Sequence, residues 1–439
     1  MKKEWSAIDR VFPLMSAIGR ASLAIDIQDS HSGNLAMRIK DENGKERMAI
    51  TATGSQKGAL EPEQICIPSI EEPDFGYYKS SSETDIHAAI LSIPGVNASM
   101  HAHTKELTIA TLDDAEKPSQ PDDFVPIDPL GFYHLQGRVK VDWFPVPSGS
   151  PEIAERIPAR LKDHPLAVIQ GHGAFARGKN LKEAFFLLSV ANNSGCIINL
   201  ARRIKLDVET LRQKILAEPN ASFSYPPAEY GIEADERCDF PNEDEMIREF
   251  QKAGERIFQS RLSPFHTGSI SARGVKTLFY AEKASCPKDL PGPLLELSLA
   301  SEKNQDKELA IHRAIYKESN FQTVMHCYVP EAEVLSHHNL PGQAVPVDRI
   351  VPVDAEGSFL YLVIPILPPK FEIENLIRLL HDYKVVVVRG GGVWAVGSQS
   401  ISEVLHHPSS VREICLYRIS AIERGLDLSQ MEPKKAKKW

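Results

Sequence analysis

The segment ETDIHAAI at residues 83–90 returns as ELAIHRAI at residues 308–315. Other parts of the chain recur in the same order: His101 as His326, residues 31–38 as residues 266–273, and residues 171–178 as residues 390–397. Several matched segments in one order are typical of a duplicated domain and not of chance similarity or a short-period solenoid. The sequence therefore predicts two homologous halves.

The repeat also sets the domain boundaries that we expect. A chain of 439 residues is longer than one hydrophobic core usually supports. We predict a first domain at residues 1–216 and a second at residues 243–428, joined by a linker at residues 217–242 that contains four prolines. A basic tail follows at residues 429–439.

The pattern of apolar residues predicts an α/β fold. Amphipathic helices at residues 5–25 and 243–259 open the two halves. The segments 166–170 and 385–388 are apolar apart from Gln170, which is typical of strands in a sheet that helices cover on both faces. The expected architecture is a layered α/β/α domain with a mixed sheet, present in two tandem copies.

Composition excludes several classes of protein. The formal net charge is −9 and the basic residues cluster only in the tail, so nucleic acid is not a predicted partner. The six cysteines show no C-x-x-C spacing, which indicates reduced thiols and a cytoplasmic location. The sequence shows no secretory signal, and the longest apolar run, residues 359–367, contains Pro365 and is too short to cross a membrane.

Three histidines of the first half have the spacing of a metal site. His101 and His103 are two residues apart on a predicted strand, so their side chains project from the same face. His172 lies between two glycines near the end of another apolar strand. Three imidazole ligands suit Zn²⁺ or another divalent ion and leave positions open for substrate, as in catalytic sites. The alternative for a histidine pair is a half-buried, hydrogen-bonded pair in the core.

The second half serves as an internal comparison for these histidines. His103 becomes Tyr328 and His172 becomes Gly391, so His326 alone keeps its residue type. Loss of two of three ligands in one copy favours a metal-binding role over a structural role in the other copy. We therefore predict a metal site in the first half and none in the second.

A second cluster of polar residues precedes the helix that contains His87. Ser80 and Glu83 have the spacing of a capping box, which is the structural interpretation of Glu83. The same helix start carries Ser81 and Ser82, and a helix N-terminus favours bound anions. Glycine-bearing turns at residues 32–34 and 51–54 also offer backbone amides to an anion.

In their order along the chain, these motifs resemble those of the class II aldolase/adducin family, over nearly all of both halves. The resemblance implies a layered α/β/α fold with a mixed, largely antiparallel sheet. It implies that Glu83 is the catalytic acid/base and that His101, His103 and His172 bind zinc or another divalent ion. It also implies a set of phosphate-binding residues: Gly33, Asn34, Thr53, Gly54, Ser81 and Ser82. In the second half Asp306 and Lys307 replace the serine pair, although Glu308 remains.

The activity that this resemblance implies is metal-dependent aldol cleavage of a small phosphorylated ketose. The same ligand set also serves sugar-phosphate 4-epimerases, dehydratases and decarboxylases, and adducin-like members are interaction proteins without catalysis. Family members form fourfold-like rings in which a neighbouring subunit completes the site, so a homo-oligomer is expected, with a dimer of fused halves as one form. Tyr133 or a residue of the second half is then the expected proton donor.

Overall fold

The computed structural model describes residues 2–29, 31–71, 80–112, 121–146, 149–219, 243–300, 307–339, 343 and 345–431. Most of the predicted linker and most of the basic tail lie outside these residues. The chain divides into two compact units, one of Met1–Pro126 with His134–Cys196 and one of Ile127–Tyr133 with Ile197–Trp439. These units do not follow the predicted boundaries at every point, and the domain limits at residues 216 and 243 stay predictions.

The first half builds one mixed sheet. Its helices are α1 (Lys2–Ala24), α2 (Thr84–Leu91), α3 (Lys105–Thr111), α4 (Pro129–His134), α5 (Pro151–Asp163), α6 (Leu181–Arg203) and α7 (Val208–Ala217). Its strands are β1 (Asn34–Lys40), β2 (Glu46–Thr51), β3 (Ile65–Cys66), β4 (Ala98–Ala102), β5 (Val141–Asp142), β6 (Leu166–Ile169) and β7 (Gly173–Gly178). The strand order is β3-β2-β1-β4-β7-β6-β5. Within the described residues only β5 and β6 pair in parallel, and the other neighbours are antiparallel.

The second half repeats this arrangement. Its helices are α8 (Glu243–Gln259), α9 (Lys307–Glu318), α10 (Pro330–Ser336), α11 (Ala355–Leu360), α12 (Ile373–Tyr383) and α13 (Ile401–Glu423). Its strands are β8 (Ser269–Arg273), β9 (Thr277–Ala281), β10 (Leu295–Ser298), β11 (Thr323–Cys327), β12 (Arg349–Ile350), β13 (Ile364–Leu367), β14 (Val385–Val388) and β15 (Gly392–Gly397). The order β10-β9-β8-β11-β15-β14-β13-β12 matches the first sheet with one extra edge strand. The predicted fold class, two copies of a mixed and largely antiparallel α/β domain, is confirmed.

Each sheet packs against helices through an apolar core. On α5 the side chains of Ile153, Ile157 and Leu161 recur at four-residue spacing and are fully buried beside Phe175 of β7. This spacing places all three on one face of the helix, and burying each such side chain contributes about 1.5–3 kcal/mol. The helix therefore packs on the sheet through one apolar face, as the apolar pattern of the sequence predicted.

Helix α6 is long and apolar enough to cross a membrane by length and composition alone. However, 78% of its most apolar stretch is buried within the protein, as in a core helix. No other helix of the described residues meets this criterion.

The two sheets also share their register. Asn34 of β1 lies opposite His101 of β4, and Ser269 of β8 lies opposite His326 of β11. Because the side-chain period of a strand is two, a shared register puts equivalent side chains on the same face in both halves. Positions of the two halves can therefore be compared one by one.

Candidate active site

The three predicted metal ligands lie together at the carboxyl end of β4. His101 is on β4, His103 follows that strand, and His172 is in the turn between β6 and β7. Their candidate ligand nitrogens all lie within 4.8 Å of one another. The ring centroids are 5.1 Å apart for His101 and His103 and 4.6 Å apart for His103 and His172. Strand pairing therefore converges three imidazoles on one point, as the sequence predicted.

Glycines allow the turn with His172 to approach β4 closely. Gly171 has a φ of +70°, a backbone conformation that residues with a Cβ rarely adopt. At Gly173 a Cβ would lie only 2.4 Å from the carbonyl oxygen of Ala102. A larger residue would therefore strain the backbone at Gly171 and collide with the residues of β4 at Gly173.

The protonation state of His101 suits a metal ligand. Its Nδ1 donates a hydrogen bond to the carbonyl oxygen of Ala174 at 3.1 Å, so the proton is on Nδ1 and the lone pair is on Nε2. That Nε2 is buried and has no hydrogen-bond partner among the described residues. Burial holds the pKa of His101 well below its usual value, and burial also lowers the pKa of His103. Neutral imidazoles with an unused buried nitrogen fit a divalent ion, so this cluster could hold one.

Glu83 lies beside this cluster. Its Oε2 is 3.9 Å from Nε2 of His101 and accepts a hydrogen bond of 2.8 Å from Nδ2 of Asn34. Burial raises the pKa of Glu83, while the Asn34 hydrogen bond and the charge of Lys57 act in the opposite direction. A carboxyl group with a raised pKa is suited to proton transfer near neutral pH.

The capping-box interpretation of Glu83 does not hold. Glu83 is the N-cap residue of α2, but its side chain makes no capping hydrogen bond. Instead the backbone N–H of Glu83 donates to Oγ of Ser81 at 3.2 Å, and the Glu83 carboxylate turns toward Asn34. The helix start therefore presents this carboxylate to the histidine cluster.

A buried histidine that the sequence did not single out as functional orients Asn34. Nε2 of His87 donates to Oδ1 of Asn34, and Nδ1 of His87 accepts from the hydroxyl of Ser99. Since the oxygen of the Asn34 amide is fixed in this way, its nitrogen must face Ser81, at 2.9 Å, and Glu83. Burial lowers the pKa of His87 to about 3, so the ring is neutral. His87 recurs as His312 in the second half, which was the available sequence signal.

The predicted phosphate-binding residues fall into two groups. At Gly33 φ is +66° and a Cβ would lie 2.4 Å from the carbonyl oxygen of His101, so this turn requires glycine. The Asn34 side chain is occupied by its bonds to Ser81, Glu83 and His87, and its predicted binding of phosphate stays a prediction.

The second group lies at the start of α2. The Thr53 hydroxyl donates to the carbonyl oxygen of Ser80 at 2.9 Å, which brings the turn with Gly54 beside Ser81 and Ser82. Gly54 has a φ of +70°, a Cβ there would meet no atom within 4 Å, and Ser82 is exposed. The structure thus collects the predicted residues around the start of α2, and their binding of phosphate stays a prediction.

Comparison with known proteins identifies the family. The sequence model described as "Class II Aldolase and Adducin N-terminal domain" matches residues 14–195 and again residues 248–418. The chain belongs to the class II aldolase and adducin family. The two matches agree with the two sheets, and the resemblance predicted from the motifs is confirmed.

Relatives of this class II aldolase family member catalyse different reactions. It is 29% identical over 174 residues to the 3-oxo-tetronate 4-phosphate decarboxylase of Haemophilus influenzae, covering 39% of this chain and 78% of that protein. It is 31% identical over 155 residues to the L-fuculose phosphate aldolase of Methanococcus maripaludis, covering 35% of this chain and 76% of that protein. It is 29% identical over 165 residues to the methylthioribulose-1-phosphate dehydratase of Methylococcus capsulatus, covering 35% of this chain and 75% of that protein.

Solved structures of the family align with about half of the chain. The L-fuculose-1-phosphate aldolase of Thermus thermophilus matches with 25% identity and a TM-score of 0.39, covering 44% of this chain and 95% of that chain. A sugar-phosphate aldolase from Thermotoga maritima matches with 17% identity and a TM-score of 0.39, covering 46% of this chain and 98% of that chain. Together the curated relatives support an enzyme of sugar-phosphate lyase type at the level of the superfamily.

Tyr133 is the one predicted catalytic residue outside the compact unit that holds this site. It lies half-buried on α4, in the segment Ile127–Tyr133 that belongs to the second compact unit. Its predicted role as proton donor stays a prediction.

In the second half of this class II aldolase family member, the equivalent position is filled by a buried pair. Nδ1 of His326 lies 2.7 Å from Oε1 of Glu308, and Nε2 of His326 donates to the carbonyl oxygen of Gly391 at 2.7 Å. Both ring nitrogens are therefore engaged within the fold. A metal ion would have to compete with the Glu308 carboxylate and the Gly391 carbonyl for them, which agrees with the ligand loss predicted from Tyr328 and Gly391.

Proposed function

We propose that this chain is a divalent-metal-dependent aldolase that cleaves a small phosphorylated ketose. The observation that carries the proposal is the cluster of His101, His103 and His172, neutral at two of its rings by burial, with the carboxylate of Glu83 3.9 Å from one ring nitrogen. Open metal coordination beside a carboxyl group of raised pKa is what reversible proton and carbon–carbon bond chemistry next to a carbonyl needs.

The positions of the side chains support the following roles in the reaction. His101, His103 and His172 would hold a divalent ion, with zinc favoured by the all-imidazole donor set, and the bound ion would supply Lewis-acid polarisation of the substrate carbonyl. Glu83 accepts and returns the proton that moves when the carbon–carbon bond breaks. Asn34 binds Oε2 of Glu83, while Oε1 is buried without a hydrogen-bond partner among the described residues, which leaves that oxygen for the proton.

The phosphate of the substrate is assigned to the start of α2. Ser81, Ser82 and the turn with Thr53 and Gly54 lie together there, joined by the hydrogen bond from Thr53 to Ser80. A helix N-terminus and glycine turns offer N–H groups to an anion. The names of all three relatives contain a phosphorylated compound, which supports this substrate class.

The competing proposals use the same metal site. The relatives include a decarboxylase and a dehydratase, so these reactions are the leading alternatives, together with 4-epimerisation. Product analysis separates them, because cleavage gives an aldehyde and a shorter ketone, decarboxylation gives CO₂, and dehydration or epimerisation keeps all carbons in one molecule. A non-catalytic, adducin-like role requires no metal.

Three further features belong to the proposal. The second half acts as a scaffold, and copies of the chain associate into a homo-oligomer, with a dimer as the expected form. The enzyme is cytoplasmic and uses neither nucleic acid nor a membrane as a partner. In support of the location, none of the five cysteines in the described part of the chain forms a disulfide.

The first test is the metal content of the purified chain by elemental analysis, with His172→Ala as the variant. We expect about one divalent ion per chain, lost in the variant, since a catalytic site of this type binds one ion through three protein ligands. His164→Ala is the matched control, because His164 is hydrogen-bonded to the carbonyl oxygens of Leu166 and Leu135 and should leave the metal in place.

The metal-loaded chain is then incubated with phosphorylated ketoses, and the products are identified. Release of an aldehyde supports the aldolase, whereas CO₂ or a dehydrated product selects one of the alternatives. A chain that binds no metal even after reconstitution would refute the proposal that it is a metal-dependent enzyme.

A further inference from the structure

Lys57 is a buried lysine between the two turns of the predicted phosphate site. Only 1% of the residue is exposed. Its Nζ donates to the carbonyl oxygen of His31 at 3.0 Å and to that of Ser55 at 2.9 Å. His31 lies two residues before Gly33, and Ser55 directly follows Gly54, so the ammonium group joins the two glycine turns.

Lys57 makes no direct ion pair with a carboxylate among the described residues. No carboxylate oxygen of the described residues lies within 4.0 Å of the Lys57 ammonium group, and both of its hydrogen bonds go to neutral carbonyls. An ammonium group also has a third N–H to donate. Burying a charge without an opposite charge is unfavourable, so such groups usually have a partner that neutralises them. Burial lowers the pKa of Lys57 to about 8, while Asp29 and Glu83 act to raise it, so the group is mostly charged at neutral pH.

The second half identifies the counterpart of Lys57. In the first half, helix α1 packs through Gly19 onto the Lys57 carbonyl, where a Cβ on Gly19 would lie 2.1 Å from that oxygen. In the second half, helix α8 packs through Gly254 onto the carbonyl of Ala284, where a Cβ would lie 2.5 Å away. The same helix-to-loop contact therefore places Ala284 at the position of Lys57. The packing is kept in both halves, but the charge occurs only in the half that has the three histidines.

The connection between the turns also differs. In the second half two backbone hydrogen bonds connect the turns, from Ala284 N to Gly268 O at 3.0 Å and from His266 N to Ser285 O at 2.7 Å. In the first half the Lys57 side chain makes it, by reaching the carbonyl oxygen of His31, the counterpart of His266. A lysine is therefore not needed to hold these turns together, because backbone bonds can do so.

We propose that Lys57 supplies the positive charge of the phosphate subsite and makes it selective for a phosphate monoester over an uncharged substrate end. The proposal rests on the phosphorylated substrate proposed above and adds a residue to that subsite. Asp29 accepts hydrogen bonds from the backbone N–H groups of His31 and Ser32, so the same turn also carries a negative charge. This carboxylate would repel a phosphate, and the positive charge of Lys57 offsets that repulsion.

The test measures binding of inorganic phosphate to the metal-loaded full chain by calorimetry, with Lys57→Met as the neutral variant of similar length. Lys57→Gln is a second neutral variant in case one of them folds poorly. The matched control is Lys140→Met, because the Lys140 side chain is 58% exposed and pairs with Asp123. We repeat the titration after chelation of the metal, since binding of phosphate to this subsite should not require the ion. Where a phosphorylated ketose is turned over, KM and kcat are also compared.

We expect the dissociation constant for phosphate to rise about tenfold or more in the Lys57 variants, equivalent to about 1.4 kcal/mol, and to be unchanged in the control. KM for a phosphorylated ketose should rise with little change in kcat, while an unphosphorylated ketose should be unaffected. The melting temperature without phosphate should fall modestly in both variants, because the carbonyl oxygens of His31 and Ser55 lose the donor that Lys57 supplies.

Two results separate this proposal from the proposed function. Equal phosphate affinity in the wild type and both neutral variants would overturn the role of Lys57 alone, and so would an equal loss of activity toward phosphorylated and unphosphorylated ketoses. A wild-type chain that binds no phosphate would instead overturn the phosphorylated substrate class itself, together with the role of Lys57.

Discussion

Replacing Asn34 by alanine tests whether the buried network around Glu83 holds the active site together. The Asn34 amide makes three hydrogen bonds, with Ser81, with the Glu83 carboxylate and with His87. Two bonds between neutral groups contribute about 1 kcal/mol each and one to a carboxylate about 1.5–3 kcal/mol, so Asn34→Ala should lower the free energy of unfolding by about 3.5–5 kcal/mol. Because the Asn34 bond opposes the effect of burial on Glu83, its loss should raise the pKa of Glu83 further.

The second half provides the control for this variant. There Ser269 occupies the position of Asn34, and its hydroxyl contacts both Glu308 and His312, the latter at 2.8 Å. Asn34→Ser should therefore recover about half of the lost stability, since one hydroxyl replaces part of the amide's bonding.

The assay is urea-induced unfolding of the metal-free chain followed by circular dichroism, with the pH dependence of the rate measured on the metal-loaded enzyme. We expect the acidic limb of the rate profile to move to higher pH in Asn34→Ala. A cost below about 1 kcal/mol, the value of one ordinary hydrogen bond, would refute the network, because it would mean that Glu83 and His87 keep their partners without Asn34.

Three further predictions use the same kinds of measurement. Burial raises the pKa of Glu83 above its ordinary value of 4.5, so this carboxyl lowers the stability of the metal-free chain as pH rises past 4.5. Glu83→Gln should then be more stable than the wild type at neutral pH and equally stable well below pH 4.5. Its activity should be about 10²–10⁴-fold lower. Equal stability of the two proteins at every pH would contradict the burial argument. His326→Ala should cost about 3–5 kcal/mol in urea unfolding by removing the histidine beside the buried Glu308 carboxylate, yet leave the metal content unchanged. Gly33→Ala should lower the melting temperature more than Gly44→Ala, because both have positive φ but only Gly33 has a backbone oxygen, 2.4 Å from the added Cβ, in the way.

The histidine cluster could be predicted because its determinants are local. Two histidines at i and i+2 on a strand share a face whatever surrounds them, and a histidine between glycines marks a tight turn. The convergence of His172 on His101 needed only that β7 pairs with β4, which the structure shows at residues 98–102. The repeat added an internal comparison, since the copy that lost His103 and His172 kept the same sheet order.

The network behind the cluster could not be predicted in the same way. Ser81, Glu83 and His87 are near one another in sequence, but Asn34 joins them across 47 to 53 positions of the chain. The local sequence at the start of α2 predicts a capping box for Glu83. Its carboxylate instead bonds to Asn34 of β1, which is distant in the sequence. Lys57 likewise reads as an ordinary polar residue in a loop until its burial is known.

The sequence by itself determined the duplication, the α/β class, the three histidines and the loss of two of them in the second copy. These follow from periodicity and from matches between segments, which are properties of residue order. Tertiary structure alone decided that Glu83 faces His101, that the Asn34 side chain serves Glu83, that His326 uses both of its nitrogens, and that Lys57 is buried between two turns. Burial and hydrogen-bond partners depend on which distant segments pack together, and the order of residues along the chain does not record that.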